Sequence, residues 1–208
     1  LIDARFPVQY VIRPQDQANH DLHDYRGYAG TVAGGVFKPG DEVVALPSGL
    51  TTTIEAIDSP NGPVAEAFAP MAVTLRLADD VDVSRGDMIC RVRNRPHVGQ
   101  DIDAMVCWMT TEGDLRPGQK LAIKHTTRWG RTLVKELQYR LDINTLHRDE
   151  SADHLSLNEI GRVRLRTTVP LFFDPYRRNR ATGSFVLVDE VTNNTVGAGM
   201  ILGPSGID

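Results

Sequence analysis

Arginine is the residue type with the clearest chemical potential in this chain. The segment from residue 162 to residue 180 contains six arginines and only one acid, Asp174. The six are Arg162, Arg164, Arg166, Arg177, Arg178 and Arg180. Guanidinium groups bond carboxylates in bidentate fashion, and arginine is enriched in protein interfaces. The segment therefore predicts a partner-docking surface, and the alternative is a solvated strand face.

Aromatic residues in the same segment are candidates for anchoring a partner, because large aromatic side chains often dominate interface energies. Tyr176 stands beside Arg177 and Arg178 and joins the predicted interface. Phe172 and Phe173 precede it, and for these two side chains packing in the protein core is the favoured interpretation.

Other reactive residue types do not form a recognisable site. His20 and His23 lie beside Asp21 and Asp24, but a polar loop offers no preorganised metal geometry, so no metal site is predicted. The remaining histidines are dispersed, and no serine has the context of a nucleophile elbow. Cys90 and Cys107 fall in apolar runs, which predicts buried, reduced thiols and a reducing, cytoplasmic setting.

The elements that must position these residues are strands. Apolar residues alternate with polar ones along most of the chain, and successive strand side chains point to opposite faces. The runs with this pattern are Val8-Tyr10-Ile12, Val73-Leu75-Leu77, Leu137-Tyr139-Leu141-Ile143 and Val163-Leu165. Leu155 to Glu159 is interpreted as a turn or a single helical turn. Many short strands separated by glycine and proline predict an all-β fold of barrels or sandwiches.

Length and composition bound the possible functions. The 208 residues are enough for two ordinary domains, and a polar stretch with Pro and Gly near residue 95 predicts domains at 1–95 and 96–208. No apolar run approaches the roughly 20 residues that a membrane-spanning helix needs. The formal net charge of -4 argues against a non-specific nucleic-acid binder.

One glycine-rich stretch has strong positional meaning. Between Arg26 and Val43 it reads as a strand, a short loop and then the tight turn Lys38-Pro39-Gly40-Asp41. A type II turn with Pro at its second position needs a positive φ at the third, where Gly40 stands. This stretch resembles the second domain of translational GTPases, in which an R-G-x-x-G-x-V strand precedes a G-x-x-x-x-G-D turn.

Further motifs narrow the resemblance. They are Arg5 to Pro14, Arg116-Pro117-Gly118-Gln119-Lys120-Leu121, Leu157-Asn158-Glu159-Ile160-Gly161-Arg162-Val163 and Asn179-Arg180-Ala181-Thr182-Gly183-Ser184-Phe185. Together they resemble the large, GTPase subunit of bacterial sulfate adenylyltransferase, from Arg5 to about Leu202. The resemblance implies two consecutive β-barrels like domains 2 and 3 of translational GTPases. It also implies two partners, the small catalytic subunit and the subunit's own nucleotide-binding domain, and in some bacteria a fused adenylylsulfate kinase after the position of Asp208.

The motifs that bind nucleotide are not found in this sequence. A phosphate-binding loop reads G-x-x-x-x-G-K-[ST], and Gly30 to Gly35 is not followed by Gly-Lys-Ser or Gly-Lys-Thr. No Asn-Lys-x-Asp run is present to read guanine. We therefore expect a fragment of a longer protein that has no cofactor or catalytic residue and is inactive alone, with GTP and Mg²⁺ belonging to the missing nucleotide domain. The alternative function is an RNA- or tRNA-binding module of a translation-factor GTPase.

Overall fold

The computed structural model describes residues 2–14 and 25–206. The chain divides into two compact units, Leu1–Pro96 and His97–Asp208; the predicted domains were 1–95 and 96–208. In the described ranges every regular element is a β-strand and none is a helix, so the all-β prediction is confirmed. No helix in those ranges could span a membrane.

The first unit contains nine strands. They are β1 (Arg5–Ile12), β2 (Gly27–Thr31), β3 (Val36–Phe37), β4 (Glu42–Leu46), β5 (Thr51–Ser59), β6 (Gly62–Pro63), β7 (Ala67–Phe68), β8 (Ala72–Leu77) and β9 (Met88–Arg91). Six of them form an antiparallel sheet in the order β4-β9-β1-β2-β8-β5, and pairing of β4 with β5 closes the barrel. Strand β6 extends β5, and β3 pairs separately with β7. Closure leaves the six barrel strands without a free sheet edge.

The second unit contains seven strands. They are β10 (His97–Trp108), β11 (Lys120–His125), β12 (Arg128–Leu141), β13 (Arg148–Asp149), β14 (Ile160–Phe173), β15 (Ser184–Val188) and β16 (Thr195–Pro204). The order β11-β15-β16-β10-β14-β12 is closed by pairing of β11 with β12, and β13 extends β12. Strand β14 lies between β10 and β12, so its outward side chains face residues of both neighbours.

Each barrel has its own apolar interior. In the first, Phe6 and Phe37 meet edge to face with their ring centroids 6.2 Å apart, and Leu75 is fully buried. In the second, the largest buried side chain is Trp108, whose indole N–H donates to the Gly113 carbonyl at 2.7 Å. That hydrogen bond satisfies the one polar group that the indole brings into the core.

Two of the predicted alternating runs are wrong in part. Val8 is buried, but Tyr10 is 64% exposed because the pairing of β1 with β2 shifts register between Val8 and Tyr10. A β-bulge of this kind turns the following side chains to the other face. In β12, register shifts on either side of Leu137 have the same effect, so Leu137 alone of its run is buried. Ile143 is exposed because β12 ends at Leu141 and Ile143 lies in the turn that follows.

The turns are held by their own side chains. At Lys38–Asp41 the Asp41 amide donates to the Lys38 carbonyl at 3.1 Å, and the Lys38 amide donates to the Asp41 carboxylate at 2.8 Å. Gly40 has φ of +90°, which confirms the predicted turn. Ser156–Glu159 repeats the arrangement, with the Ser156 amide donating to the Glu159 carboxylate at 2.8 Å, so Leu155 to Glu159 contains a turn.

Candidate partner-docking surface

The first half of the predicted interface is an ion-paired ladder on β14. Val163 and Leu165 point into the barrel, as their alternation predicts, and the arginines between them point outward. We call Arg162, Arg164 and Arg166, with their acidic partners Asp101, Asp103 and Glu136, the arginine ladder. Every arginine of the ladder therefore already has a carboxylate partner within its own barrel.

Asp103 is the centre of the ladder. Its carboxylate accepts from Arg162 at 2.7 Å and from Arg164 at 3.4 Å, and its side chain is only 7% exposed. Burial alone would raise the pKa of Asp103. The hydrogen bond and charge of Arg162, with hydrogen bonds from Ser205 and Arg164, outweigh burial and hold that pKa below its usual value. The carboxylate is thus charged at neutral pH and neutralises the two arginines beside it.

The outer end of the ladder is more exposed. Arg166 bonds Asp101 at 2.7 Å, and Arg164 also reaches Glu136 at 3.1 Å. Both of these contacts lie near water, where solvent screens the attraction and an ion pair stabilises by at most about 1 kcal/mol. The ladder is therefore strongest at Asp103 and weakest at Arg166.

The second half of the predicted interface lies on a separate turn, residues 174–183, which we call the arginine turn. Arg177, Arg178 and Arg180 are exposed and Tyr176 is half-buried. In the described part of the chain, no ion pair involves Arg177 or Arg180. The structure thus separates the predicted surface into a neutralised ladder and a turn that keeps cationic side chains available.

A network of side chains holds the arginine turn in shape. The Asn179 side-chain oxygen accepts from the amides of Ala181 and Thr182 at 2.9 and 3.1 Å. The Thr182 hydroxyl donates to the Asp174 carboxylate at 2.7 Å, where both residues are buried. Buried polar groups must be paired in this way, since an unpaired one costs about 1–3 kcal/mol.

A buried histidine ties this turn to the end of β11. His125 lies in the barrel wall, and its Nε2 donates to the Thr182 carbonyl at 2.6 Å. Burial lowers the pKa of His125, while the hydrogen bond to Thr182 and the charge of Asp174 oppose that effect only in part. The imidazole is therefore neutral at physiological pH and acts as a fixed hydrogen-bond donor to the turn.

Gly183 closes the turn by close approach. A Cβ atom added at Gly183 would lie 2.4 Å from the Tyr176 Cα and 2.6 Å from the Asn179 carbonyl oxygen. Both neighbours are backbone atoms, which cannot move aside cheaply. The motif Asn179 to Gly183 is thus the sequence of a specific turn that presents Tyr176 and the neighbouring arginines.

The two phenylalanines are core residues, as the sequence favoured. Phe172 and Phe173 are both buried. The Arg128 guanidinium lies 4.8 Å from the centroid of the Phe172 ring, and His97 stacks near Phe173 with ring centroids 5.6 Å apart. Tyr176 is therefore the one aromatic residue of this segment that is available to a partner among the three considered.

A groove beside the arginine turn was not predicted from the sequence. It has a volume of about 690 Å³ on the outer face of the second barrel, and its lining includes Tyr176 and Ala181 of the arginine turn and Ile160 of β14. We call it the methionine groove. Its walls include Met105, Cys107, Lys124, Val186, Ala198 and Met200. Outward residues of a barrel are usually polar, so apolar ones on four adjacent strands mark a surface that is suited to contact.

Remaining reactive groups are scattered. Cys90 is buried, but Cys107 is half-buried at the groove because it points outward from β10, so the prediction of a buried thiol is wrong for Cys107. Neither cysteine forms a disulfide. The described ranges contain no cluster of three metal-binding side chains. His20 and His23 lie outside the described residues.

The chain is similar to known proteins over nearly its whole length. A family model, "GTP-eEF1A C-terminal domain-like", matches residues 101–202. A protein named "Bifunctional enzyme CysN/CysC" from Mycobacterium tuberculosis (strain CDC 1551 / Oshkosh) is 60% identical over 97% of this chain and 32% of its own length. "Sulfate adenylyltransferase subunit 1" of Bacteroides fragilis (strain YCH46) is 44% identical over 96% of this chain and 40% of its own length. The chain thus spans about a third to two-fifths of these relatives.

The fold has a counterpart among solved structures. Sup35 complexed with GMPPNP superposes with a TM-score of 0.84, covering 99% of this chain and 48% of that chain at 18% identity. At this low identity the superposition speaks for the fold alone. It confirms the predicted all-β fold of two consecutive β-barrels.

Proposed function

We propose that this chain, which belongs as a segment to the family of sulfate adenylyltransferase subunit 1 and the bifunctional CysN/CysC enzymes, is the non-catalytic barrel portion of a GTPase subunit. That subunit regulates sulfate activation. In that role the barrels dock the small catalytic subunit, which forms adenylylsulfate from ATP and sulfate. GTP and Mg²⁺ are held by a separate nucleotide-binding domain, and the setting is the cytoplasm.

The observation that carries the docking role is the contrast between the two groups of arginines. The ladder around Asp103 is internally neutralised. The arginine turn carries the exposed Arg177 and Arg180, and its Tyr176 and Ala181 line the apolar groove. An exposed combination of this kind suits a protein interface, where apolar contact supplies affinity and charge supplies orientation.

The non-catalytic part of the proposal is supported by what the shifted groups do. Asp103 is held charged by arginines, and His125 is held neutral by burial and by its hydrogen bond to Thr182. Both groups fix the structure of the second barrel. Neither is placed to activate a nucleophile, because a general base must face a proton that it can abstract from a substrate.

Coupling to GTP hydrolysis would follow from movement of whole domains. Two closed barrels are rigid, since every barrel strand is paired on both sides. A nucleotide-dependent change would then shift the barrels as bodies at their interfaces and leave their interiors intact, which is a common form of switching. Such a movement would change the position of any subunit docked on the barrels.

The experiment is a calorimetric titration of this chain with the small catalytic subunit of sulfate adenylyltransferase. We expect a one-to-one complex with a dissociation constant on the order of 1–10 µM, in the range of a transient interface. Absence of binding at about 100 µM of either protein would refute the docking role.

The alternative function, tRNA binding, is tested by a gel shift of tRNA with this chain. Phosphate contacts release counterions, so genuine binding weakens steeply as the salt concentration rises. We expect no shift at physiological salt, because the formal net charge of the chain is -4 and the ladder arginines already contact Asp101, Asp103 and Glu136. A tRNA shift that is strongly salt-dependent would favour the nucleic-acid function.

A further inference from the structure

We infer that the methionine groove and the arginine turn form one site, which binds an acidic segment of a partner protein. The groove accepts one apolar side chain of that segment, and the turn binds the carboxylates on either side of that side chain. The inference rests on the proposed function only for the identity of the partner. The chemistry of the bound segment follows from the site itself.

The groove is continuous because the strand register aligns its residues. Met105 of β10 pairs with Met200 of β16, and Cys107 pairs with Ala198. Ala198 in turn pairs with Val186, and Val186 with Lys124. Directly paired residues of antiparallel strands have their side chains on the same face. These residues therefore make an unbroken apolar row that ends at a lysine.

The walls are shaped for an apolar side chain. Methionine is flexible and polarisable, so Met105 and Met200 can adapt to an inserted group. Met200 is 41% exposed although it is large and apolar. Burial of such surface is favourable at roughly 25 cal/mol per Å², which gives the groove a driving force for binding that a polar barrel face would lack.

The charges around the groove all favour an anionic partner. No carboxylate lines the groove in the part of the chain that the structure describes. Lys124 forms one wall, with its ammonium 5.5 Å from the ring centroid of Trp129, which is itself exposed. Tyr176 and Ala181 also line the groove, and Arg177 and Arg180 lie between them in the sequence of the arginine turn. Complementary charge at a rim steers the partner and fixes its register.

The shape of the arginine turn is set before any partner arrives. The Ser184 hydroxyl donates to the Arg180 carbonyl at 2.8 Å, and the Asn179, Thr182 and Asp174 hydrogen bonds fix the rest. A preorganised site loses less conformational entropy on binding than a mobile loop. This rigidity explains why a turn that carries three exposed arginines is built on a buried network.

The test uses variants of the whole chain that introduce a negative charge in the groove or reverse the charge of the turn, each with a matched control. Met200→Glu places a carboxylate in the groove, and Leu202→Glu is its control because Leu202 lies outward on the same strand, is equally exposed at 42%, and lies outside the groove. Arg177→Glu/Arg180→Glu reverses the charge of the turn. Arg85→Glu/Arg93→Glu is its control, because it makes the same change in net charge at two exposed arginines of the first barrel.

The first readout is calorimetric affinity for the small catalytic subunit. We expect Met200→Glu and the turn variant each to weaken binding about tenfold or more, and both controls to change it less than about threefold. If the wild-type chain binds but Met200→Glu and Leu202→Glu are equal, the site assignment is wrong while the proposed function stands. If the wild-type chain does not bind, the proposed function fails, and the second readout decides the site.

The second readout is independent of the partner's identity. The probe is a peptide with one leucine flanked on each side by two aspartates, titrated while the methionine methyl resonances are followed by NMR; a peptide with lysines replacing the aspartates is the control. Shifts of the Met105 and Met200 methyls with the acidic peptide alone support the site. No shift, equal shifts with both peptides, a dimer of this chain that Met200→Glu abolishes, or tRNA binding that the turn variant abolishes would each overturn it.

Discussion

The arginine ladder should stabilise the second barrel chiefly through Asp103, and Asp103→Asn tests this. The substitution keeps the shape of the side chain but removes the charge that accepts from Arg162 and Arg164. A hydrogen bond to a charged group contributes about 1.5–3 kcal/mol. The Arg164 contact is long, and both guanidinium groups are partly exposed, so solvent compensates part of the loss. We expect a loss of about 2 kcal/mol.

This loss can be expressed as a melting temperature. The second unit has about 110 residues, and unfolding entropy is about 2.1 cal/mol/K per residue. The melting temperature of that unit should therefore fall by roughly 9 °C in differential scanning calorimetry. Asp101→Asn is the matched control, because its partner Arg166 and its own side chain are about half exposed; it should cost less than about 0.5 kcal/mol.

The pH dependence of the same variant has a definite sign. Because the folded-state pKa of Asp103 lies below the usual value of an aspartate, the carboxylate stabilises the barrel above the unfolded-state pKa. That contribution is lost as the pH falls through the folded-state pKa. Urea unfolding should show a difference between wild type and Asp103→Asn that is constant near neutral pH and shrinks below about pH 4. A difference under 0.5 kcal/mol at pH 7, or one independent of pH, would refute the reasoning.

Three further predictions concern the buried network, the tight turn and the first barrel. Burial lowers the folded-state pKa of His125, so as the pH falls the imidazole is protonated in the unfolded chain before it is protonated in the folded barrel. Urea unfolding should therefore show the stability of the second barrel falling as the pH drops below about 6.5. His125→Gln should remove most of this pH dependence. Gly183→Ala should lower the stability of that barrel by about 1–3 kcal/mol through steric overlap, whereas Gly203→Ala, which meets no atom within 4 Å, should change it by less than about 1 kcal/mol. In the first barrel, Arg5 is fully buried and donates to the Ala4 and Asn94 carbonyls at 2.9 and 2.5 Å; Arg5→Met should cost about 3 kcal/mol in calorimetric stability, and an unchanged melting temperature would contradict this.

Local pattern was enough to predict much of the fold. Val163 and Leu165 alternate with arginines, and β14 pairs in regular register with β10 at that point, while the extra residues at the register shifts with β12 lie on β12. The burial of both side chains therefore follows from the period of two. The Lys38–Asp41 turn is equally local, since Pro39 and Gly40 each prefer the backbone angles that it needs. The exposure of Tyr10 could not be predicted, because a bulge depends on the partner strand, which the sequence of β1 does not reveal.

The site was less predictable, because its properties depend on residues far apart in the chain. The spacing of the ladder arginines is visible in the sequence, but their neutralisation by Asp103 comes from a strand about 60 residues earlier. Met105 and Met200 become neighbours only through the pairing of β10 with β16. The sequence from Asn179 to Gly183 matches a family motif, but its physical reason, a turn closed on Tyr176, is visible only in three dimensions.

The calorimetric titration of the wild-type chain with the small catalytic subunit of sulfate adenylyltransferase tests the central claim most directly. The predicted result is a one-to-one complex with a dissociation constant on the order of 1–10 µM, weakened about tenfold or more by Met200→Glu and by less than about threefold by Leu202→Glu. No heat of binding at about 100 µM would contradict the claim, and salt-dependent binding of tRNA by the same chain would then favour the nucleic-acid function.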